Sequence, residues 1–312
     1  MNIKPFCPIC NGLDITEIGP YKNNTQIFNS LKLVNCISCD IVFANPMPDE
    51  LLLTKYNSSY FMSAHGGHSQ DITTVSFFKA IGSLRVNYVE KYLKDKGIKC
   101  SSVLEVGPGS GYFASIWMKK NPETKYFVLE SDESCYDALY KVGVTVLNNE
   151  DLKNTNEKSF DLVIISHVLE HVSNPKLFLE FVTKNLRTGG CLFIEVPCRD
   201  YLHKDIIEPH LLFFDKSSMN YLLNQLSFSN IKLSYFGKKI TDLKKVPFLI
   251  KFYTKIRTKL ISLGVVFPFS RKRDGLESID SRIERAIIIP FEAHVDQKEP
   301  SWWLRSLSLK EK

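Results

Sequence analysis

Val103-Leu104-Glu105-Val106-Gly107-Pro108-Gly109-Ser110-Gly111 is the stretch from which the fold can be read. The apolar run from Ser102 to Val106 reads as a buried strand, and three glycines at alternate positions follow it. Glycine lets the backbone turn through unusual dihedrals and lets a ligand approach with no Cβ in the way. The residues after the loop, Tyr112 to Lys120, carry apolar groups at helical spacing, so the loop ends at a helix N-terminus with free N–H groups. Strand, glycine loop and helix make a nucleotide-type binding corner.

Strands and helices alternate outward from this corner. The pattern predicts a helix over Tyr112–Lys120, a strand over Lys125–Leu129, a helix from about Glu133 to Gly143, and strands over Val144–Leu147 and Phe160–Ile165. Asn174 as N-cap and Pro175 at the first position open a helix expected to run to Leu186, with Gly189-Gly190 after it. A strand over Cys191–Val196, a helix near Ser217–Leu226, and strands over Asn230–Tyr235 and Ser301–Leu309 complete the set. Such alternation predicts an α/β fold with a parallel sheet and helices on both faces, ligands lying beyond the carboxyl ends of the strands. Glu105, Glu130, Asp151 and His167 all fall at or just past those ends.

The loop itself narrows the ligand. A dinucleotide fold places a third glycine where it allows close helix packing, but here that position is Tyr112. An acid, Glu105, stands two residues before the first glycine; it suits an amine-bearing or cationic ligand and would repel a pyrophosphate. Glu130 suits a ribose diol, because a carboxylate accepts from both hydroxyls. Asn149-Glu150-Asp151-Leu152 is placed to meet an exocyclic amine of adenine. Together these residues describe a site for S-adenosylmethionine.

The N-terminal part reads differently. Cys7-Pro8-Ile9-Cys10 and Cys36-Ile37-Ser38-Cys39 are two CxxC pairs able to offer four thiolates in a tetrahedron, as in a closed structural zinc site. A segment this short cannot hold itself together by core burial, which makes a metal staple physically reasonable. Residues 1–45 are thus expected to form a zinc-binding module, 46–98 a linker and helical cap, and 99–312 the α/β domain with an insertion at about 240–300. His65-Gly66-Gly67-His68 reads as a loop, and Tyr56 and Tyr60 share one face of a short helix.

Net charge excludes some partners. The chain carries +6, and 15 Lys/Arg against 9 Asp/Glu from Thr241 onward account for all of it, so the first 240 residues balance. That argues against nucleic acid as a partner of the whole chain. Within 246–263, apolar residues alternate with Lys251, Lys255, Arg257 and Lys259, a pattern suited to a lid, a packing helix or a helix on an anionic membrane surface. No run of about 18 apolar residues and no leader-like opening is present, which predicts a cytoplasmic protein.

Residues 101–236 resemble the class I S-adenosylmethionine-dependent methyltransferases. The branch they resemble carries Ser159-Phe160-Asp161-Leu162-Val163, His167-Val168-Leu169-Glu170-His171, Thr188-Gly189-Gly190 and Pro209-His210-Leu211-Leu212-Phe213-Phe214. The CxxC pairs followed by Ala44-Asn45-Pro46-Met47-Pro48 are similar to the zinc-bearing module fused to such enzymes in sugar and polysaccharide pathways. The resemblance implies a Rossmann-like sheet of seven strands, the last antiparallel. It also implies that Glu105, Gly107, Gly109 and Gly111 hold the methionine and sugar part of the cofactor. Glu130 would take the ribose, Asp151 with the Leu152 backbone the adenine, and His167 would flank the cofactor.

Methyl transfer to a hydroxyl gains from a base that takes the proton, and a neutral histidine fits that demand. His210, with Glu208 to orient it, is the expected base, and His171 comes next. Carbon-methylating members acting on nucleotide-linked keto-sugars carry Tyr-x-Glu-His where this chain has Ile207-Glu208-Pro209-His210. That departure favours O-methylation of a sugar, nucleotide-sugar or surface-glycan hydroxyl, on a small-molecule or glycan substrate, over carbon methylation. A zinc-ribbon binding protein on a retained scaffold is the competing reading.

Overall fold

A computed structural model describes residues 6–57, 72–154, 159–244 and 292–311, with isolated positions between 252 and 260. His65, His68, Tyr60 and most of the 246–263 stretch lie outside the described residues. The elements begin with β1 (Ile15–Pro20), β2 (Lys32–Cys36), β3 (Val42–Asn45), α1 (Glu50–Asn57) and α2 (Ile72–Asp95). Next come β4 (Ser102–Val106), α3 (Tyr112–Lys120), β5 (Lys125–Leu129), α4 (Tyr136–Val142), β6 (Thr145–Leu147), α5 (Asn149–Asn154) and β7 (Phe160–Ser166). The chain continues through α6 (Pro175–Val182), β8 (Leu186–Pro197), β9 (Leu212–Phe213), α7 (Lys216–Gln225), β10 (Phe228–Lys239), α8 (Ile240–Lys244), β11 (Asp296–Gln297) and β12 (Ser301–Lys310).

The main sheet runs β6-β5-β4-β7-β8-β12-β10-β11. Pairing is parallel from β6 through β8, and β12 runs antiparallel to both β8 and β10. This is the Rossmann-like order that the resemblance implies, with its reversed strand, and β11 adds a short eighth strand to the expected seven. Leu162, Val163, Ile164 and Ile165 of β7 are fully buried, as a central strand covered on both faces requires. Order reverses beside β4, so the crevice opens where the glycine loop leaves the sheet.

Two boundaries differ from the sequence expectation. The helix opened by Asn174 stops at Val182, because Thr183 folds its hydroxyl back onto the Leu179 carbonyl (2.6 Å) and the Asn185 carbonyl already accepts from Phe160 N (3.0 Å). Strand β8 therefore starts at Leu186 and passes through Gly189-Gly190 rather than following them.

The N-terminal cysteines lie on two turns that repeat each other bond for bond. Asn11 N donates to Cys7 O (3.0 Å) and Asp40 N to Cys36 O (2.8 Å). Cys7 N reaches Gly12 O (3.0 Å) and Cys36 N reaches Ile41 O (2.9 Å), with Asn11 and Asp40 both at positive φ. The module is sewn into the larger domain. Its sheet has the order β1-β2-β3-β9, so the fourth strand comes from beyond the fifth parallel strand of the main sheet. Tyr56 packs edge-on against Phe28 of the module at 5.6 Å.

That junction fixes the loop carrying His210. Ile207 N donates to Lys22 O (2.9 Å), Tyr21 Oη to His210 O (2.9 Å), Leu211 N to Glu170 O (2.7 Å), and Ala44 N to Leu211 O (2.8 Å). The segment is thus held between the module and the turn after β7.

Candidate active site

The glycine loop crosses the carboxyl end of β4 with Gly107, Gly109 and Gly111 all in the left-handed region. A Cβ added at Gly107 would stand 2.4 Å from Val168 Cγ2, so the loop and the His167–His171 turn pack with no room to spare. Glu130 points into the loop. One oxygen accepts from Gly109 N (2.9 Å), the other from Ser131 N (2.8 Å) and Asp132 N (3.0 Å). Burial raises its pKa against these donors. This carboxylate, expected to take a ribose diol, already accepts three backbone N–H groups.

Glu105 lies deeper than the sequence implies. It is 4% exposed and accepts a hydrogen bond from Tyr126 Oη at 2.7 Å. Burial pushes it up from 4.5 to about 7, with Tyr126 and Arg85 opposing the shift. An acid raised in the folded state holds a proton the unfolded chain has released, so stability falls as pH rises from about 4.5 through 7. Glu105→Gln is expected to recover roughly 2–3 kcal/mol at pH 8 and nothing at pH 4. Urea melts at the two pH values check this, and coincident midpoints at pH 8 would refute it.

Asp151 and Leu152 are differently employed. Asn148 Oδ1 accepts from Glu150 N and Asp151 N (both 2.8 Å), while Asp151 Oδ2 accepts from Asn148 N (2.9 Å), a reciprocal cap on α5. The Leu152 N–H donates to Asn148 O (3.0 Å), and its carbonyl accepts from Asn185 Nδ2 (2.7 Å). The Leu152 backbone N–H thus closes the first turn of the helix.

His167 sits at positive φ (57°) with its N–H on Glu195 O (2.8 Å). Its Nε2 is 3.1 Å from Glu195 Oε1 and its Nδ1 3.4 Å from Glu170 Oε1, leaving the side chain 34% exposed. Burial works against its charge, but the two carboxylates outweigh it and the pKa is raised.

Beyond this turn the chain gathers Glu170, His171 and His210, all buried, with their ligating atoms within 4.8 Å of one another. The two imidazoles meet edge to face at 4.9 Å. His210 Nδ1 is 2.8 Å from Asp200 Oδ2, so the ring donates there and keeps Nε2 as the lone-pair nitrogen. Burial alone would raise the Asp200 pKa, but His210 and Lys204 hold it well below the usual carboxylate range.

Glu208, expected to orient His210, does not. Its Oε2 accepts from Asn24 N (2.9 Å), Thr25 N (3.0 Å) and Thr25 Oγ1 (3.1 Å), which ties it to the N-terminal module. His171 is pushed down to about 3, chiefly by burial, so it stays neutral and is a poor proton acceptor near neutrality. Asp200 escaped the sequence reading; its only signal was an acid three residues past the end of a buried strand. Glu195 in β8 and Arg305 in β12, charges set within buried runs of apolar and small residues, are the other signals that went unread.

The four N-terminal sulfurs also converge. Cys7 and Cys39 Sγ are 3.5 Å apart and Cys10 and Cys36 Sγ 3.4 Å, close to the edges of a tetrahedron with bonds of about 2.3 Å. Backbone N–H groups of Ile9 and Gly12 point at Cys7 and Cys10 sulfur, each at 3.4 Å, which stabilises thiolate charge. The donor set fits a structural zinc ion.

A family model described as a methyltransferase domain matches residues 82–237, half of the chain. The chain belongs to this methyltransferase family. Among curated proteins the methyltransferase is similar to a ubiquinone biosynthesis O-methyltransferase of Hydrogenovibrio crunogenus, 25% identical over 127 residues, which is 39% of this chain and 52% of that protein. It is also similar to the mitochondrial ubiquinone biosynthesis O-methyltransferase of Rattus norvegicus, 28% identical over 109 residues, 32% of this chain and 31% of the relative. The chain thus spans about half the length of the first relative and about a third of the second. Of solved structures, a methyltransferase of Thermotoga maritima described as a possible histamine N-methyltransferase aligns at a TM-score of 0.47. It shares 15% identity and covers 81% of this chain and 99% of that one. The plantazolicin methyltransferase BamL aligns at 0.44 with 13% identity, covering 84% and 99%. Among the described residues no helix is long and apolar enough to cross a membrane.

Proposed function

We propose that this methyltransferase O-methylates a hydroxyl of a sugar, nucleotide-sugar or surface glycan, with S-adenosylmethionine as donor. The observation that carries the reading is the Asp200–His210 pair, held beside the turn that packs on the glycine loop. The residues present fit the cofactor: a positive-φ glycine loop with no room for a Cβ at Gly107 or Gly111, and Glu130 aimed into it. When bound, S-adenosylmethionine supplies an activated methyl group. The protein's part is alignment, exclusion of water and a route for the hydroxyl proton. Asp200 fixes the His210 tautomer, and His210 is the group through which the acceptor loses its proton.

Carbon methylation is disfavoured for a structural reason as well. The glutamate nearest His210 in sequence is occupied by Asn24 and Thr25, and no tyrosine stands at Ile207. The sugar class rests on the zinc module and the Ala44–Pro48 pattern. Cys7, Cys10, Cys36 and Cys39 hold zinc in a structural role, since a closed set of four thiolates leaves no position for chemistry.

The test is radiolabelled methyl transfer to a panel of nucleotide-sugars and free glycans, alongside calorimetry of the cofactor. His210→Ala should lower turnover by roughly a hundredfold or more while leaving S-adenosylmethionine affinity nearly intact. Asp200→Asn should fall in the same direction. An unchanged rate in His210→Ala would remove the assignment, and label appearing only on carbon would remove the O-methylation reading.

A further inference from the structure

Glu170 stands out among the described residues as a buried acid, 1% exposed, whose carboxylate has no partner in hydrogen-bond geometry. His167 Nδ1 stands 3.4 Å away and His171 Nε2 3.8 Å. A buried carboxylate whose nearest donors are imidazoles this far off is poorly compensated, at a cost on the order of several kcal/mol. Folding does not leave it alone, however. It brings in two imidazoles, His171 and His210, whose ligating atoms lie within 4.8 Å of the carboxylate and of each other.

We propose that Glu170, His171 and His210 form a binding site for one divalent transition-metal cation. Three features fit a cation better than a plain hydrogen-bond cluster. The donor set is one carboxylate and two imidazoles, which suits zinc, manganese or iron and leaves coordination positions open. His210 already carries the outer partner that a metal-bound histidine needs: Asp200 Oδ2 takes the Nδ1 proton at 2.8 Å, so the Nε2 lone pair is oriented. The site is also assembled from two directions. Leu211 N bonds Glu170 O, which pins the loop of His210 against the turn of Glu170 and His171. This placement already gathers the three ligands within 4.8 Å of one another, so side-chain shifts rather than backbone movement would close them on an ion.

The cation sits one turn from Val168, the residue that packs on Gly107. An acceptor hydroxyl filling an open coordination position would lose its proton more readily, as metal-bound water does. That role rests on the O-methylation reading; binding of the cation does not. It also changes what His210 does, from taking a proton itself to holding the ion that releases it. This site is distinct from the four-cysteine cluster, whose soft thiolates select zinc over manganese.

Manganese is therefore the probe. The full chain with zinc in its cysteine cluster is titrated with Mn2+ by calorimetry and by the electron paramagnetic resonance signal of the free ion. Wild type should take up one Mn2+ per chain. Glu170→Gln and His210→Ala should lose that uptake, and Asp200→Asn should weaken it by roughly 10–100-fold. Retained zinc content and S-adenosylmethionine affinity show that each variant is folded. A folded wild type that binds neither Mn2+ nor a second Zn2+ overturns the inference whatever the variants do, and so does undiminished uptake in Glu170→Gln. Because no acceptor enters the titration, Mn2+ uptake without sugar methylation would leave the site standing and sink only the proposed function.

Discussion

Glu195→Ala should be among the most damaging single changes to stability, costing roughly 3–5 kcal/mol. Glu195 is fully buried on β8, within the apolar stretch of residues 191–197. Its Oε1 accepts from Arg85 Nε at 2.7 Å and lies 3.1 Å from His167 Nε2, while Oε2 pairs with Arg305 Nε. Arg305 is itself 1% exposed, its guanidinium over the Phe236 ring at 4.1 Å. The alanine variant removes the carboxylate and leaves a buried guanidinium with no counter-charge among the described residues, which accounts for most of the loss. Glu195→Gln keeps the shape and should cost less. Burial alone would raise the Glu195 pKa, but Arg85, Arg305 and His167 hold it well below the carboxylate range. For a depressed acid the contribution is present above about pH 4.5 and fades only as pH falls further, so the deficit should be full at pH 7 and shrink in acid. Denaturant midpoints at neutral and acid pH check this. A loss under about 1 kcal/mol at pH 7 would mean that water reaches the network.

The same network shows where sequence reasoning stops. Position 195 is one residue in an apolar strand, and nothing local says that its partners are Arg85, 110 residues earlier, and Arg305, 110 residues later. The glycine loop was legible because its signal is local: strand, positive-φ residues and helix start lie within twenty residues and follow from elementary sterics. The CxxC turns were legible for the same reason, each a short repeat with its own bonds. What was hidden was pairing across the chain. That β9 would complete the N-terminal sheet depends on two residues at 212–213, too few to carry a period. That Glu208 would face Thr25 rather than His210 depends on this docking, since neighbours in sequence at a turn commonly point apart. Asp200 became the partner of His210 because the Asp200–Leu202 turn and the Ile207–Leu211 segment fold back on each other. By its position after β6 Asp151 is expected as a ligand, and the structure adds that it also closes the cap of its own helix.

Gly107→Ala should raise the Kd for S-adenosylmethionine by roughly a hundredfold, about 2–3 kcal/mol. Two costs add. Gly107 has φ of +66°, where any Cβ-bearing residue is strained by roughly 1–2 kcal/mol. The new Cβ would also stand 2.4 Å from Val168 Cγ2, well inside contact distance. Neither neighbour can yield cheaply. Gly107 N is held on Leu129 O at 2.8 Å, and the Val168 turn is held by His167 N on Glu195 O at 2.8 Å and by Leu211 N on Glu170 O at 2.7 Å. The strain must then be relieved by lifting the loop, which displaces Gly109 N from Glu130 and opens the cradle. The two costs can be separated. Val168→Ala in the Gly107→Ala background removes the clash and leaves the dihedral strain, so it should restore part of the affinity but not all. Calorimetry of the single and double variants gives the split. Full restoration would show that the left-handed backbone costs nothing here, and no restoration would show that Val168 is not what the loop rests on.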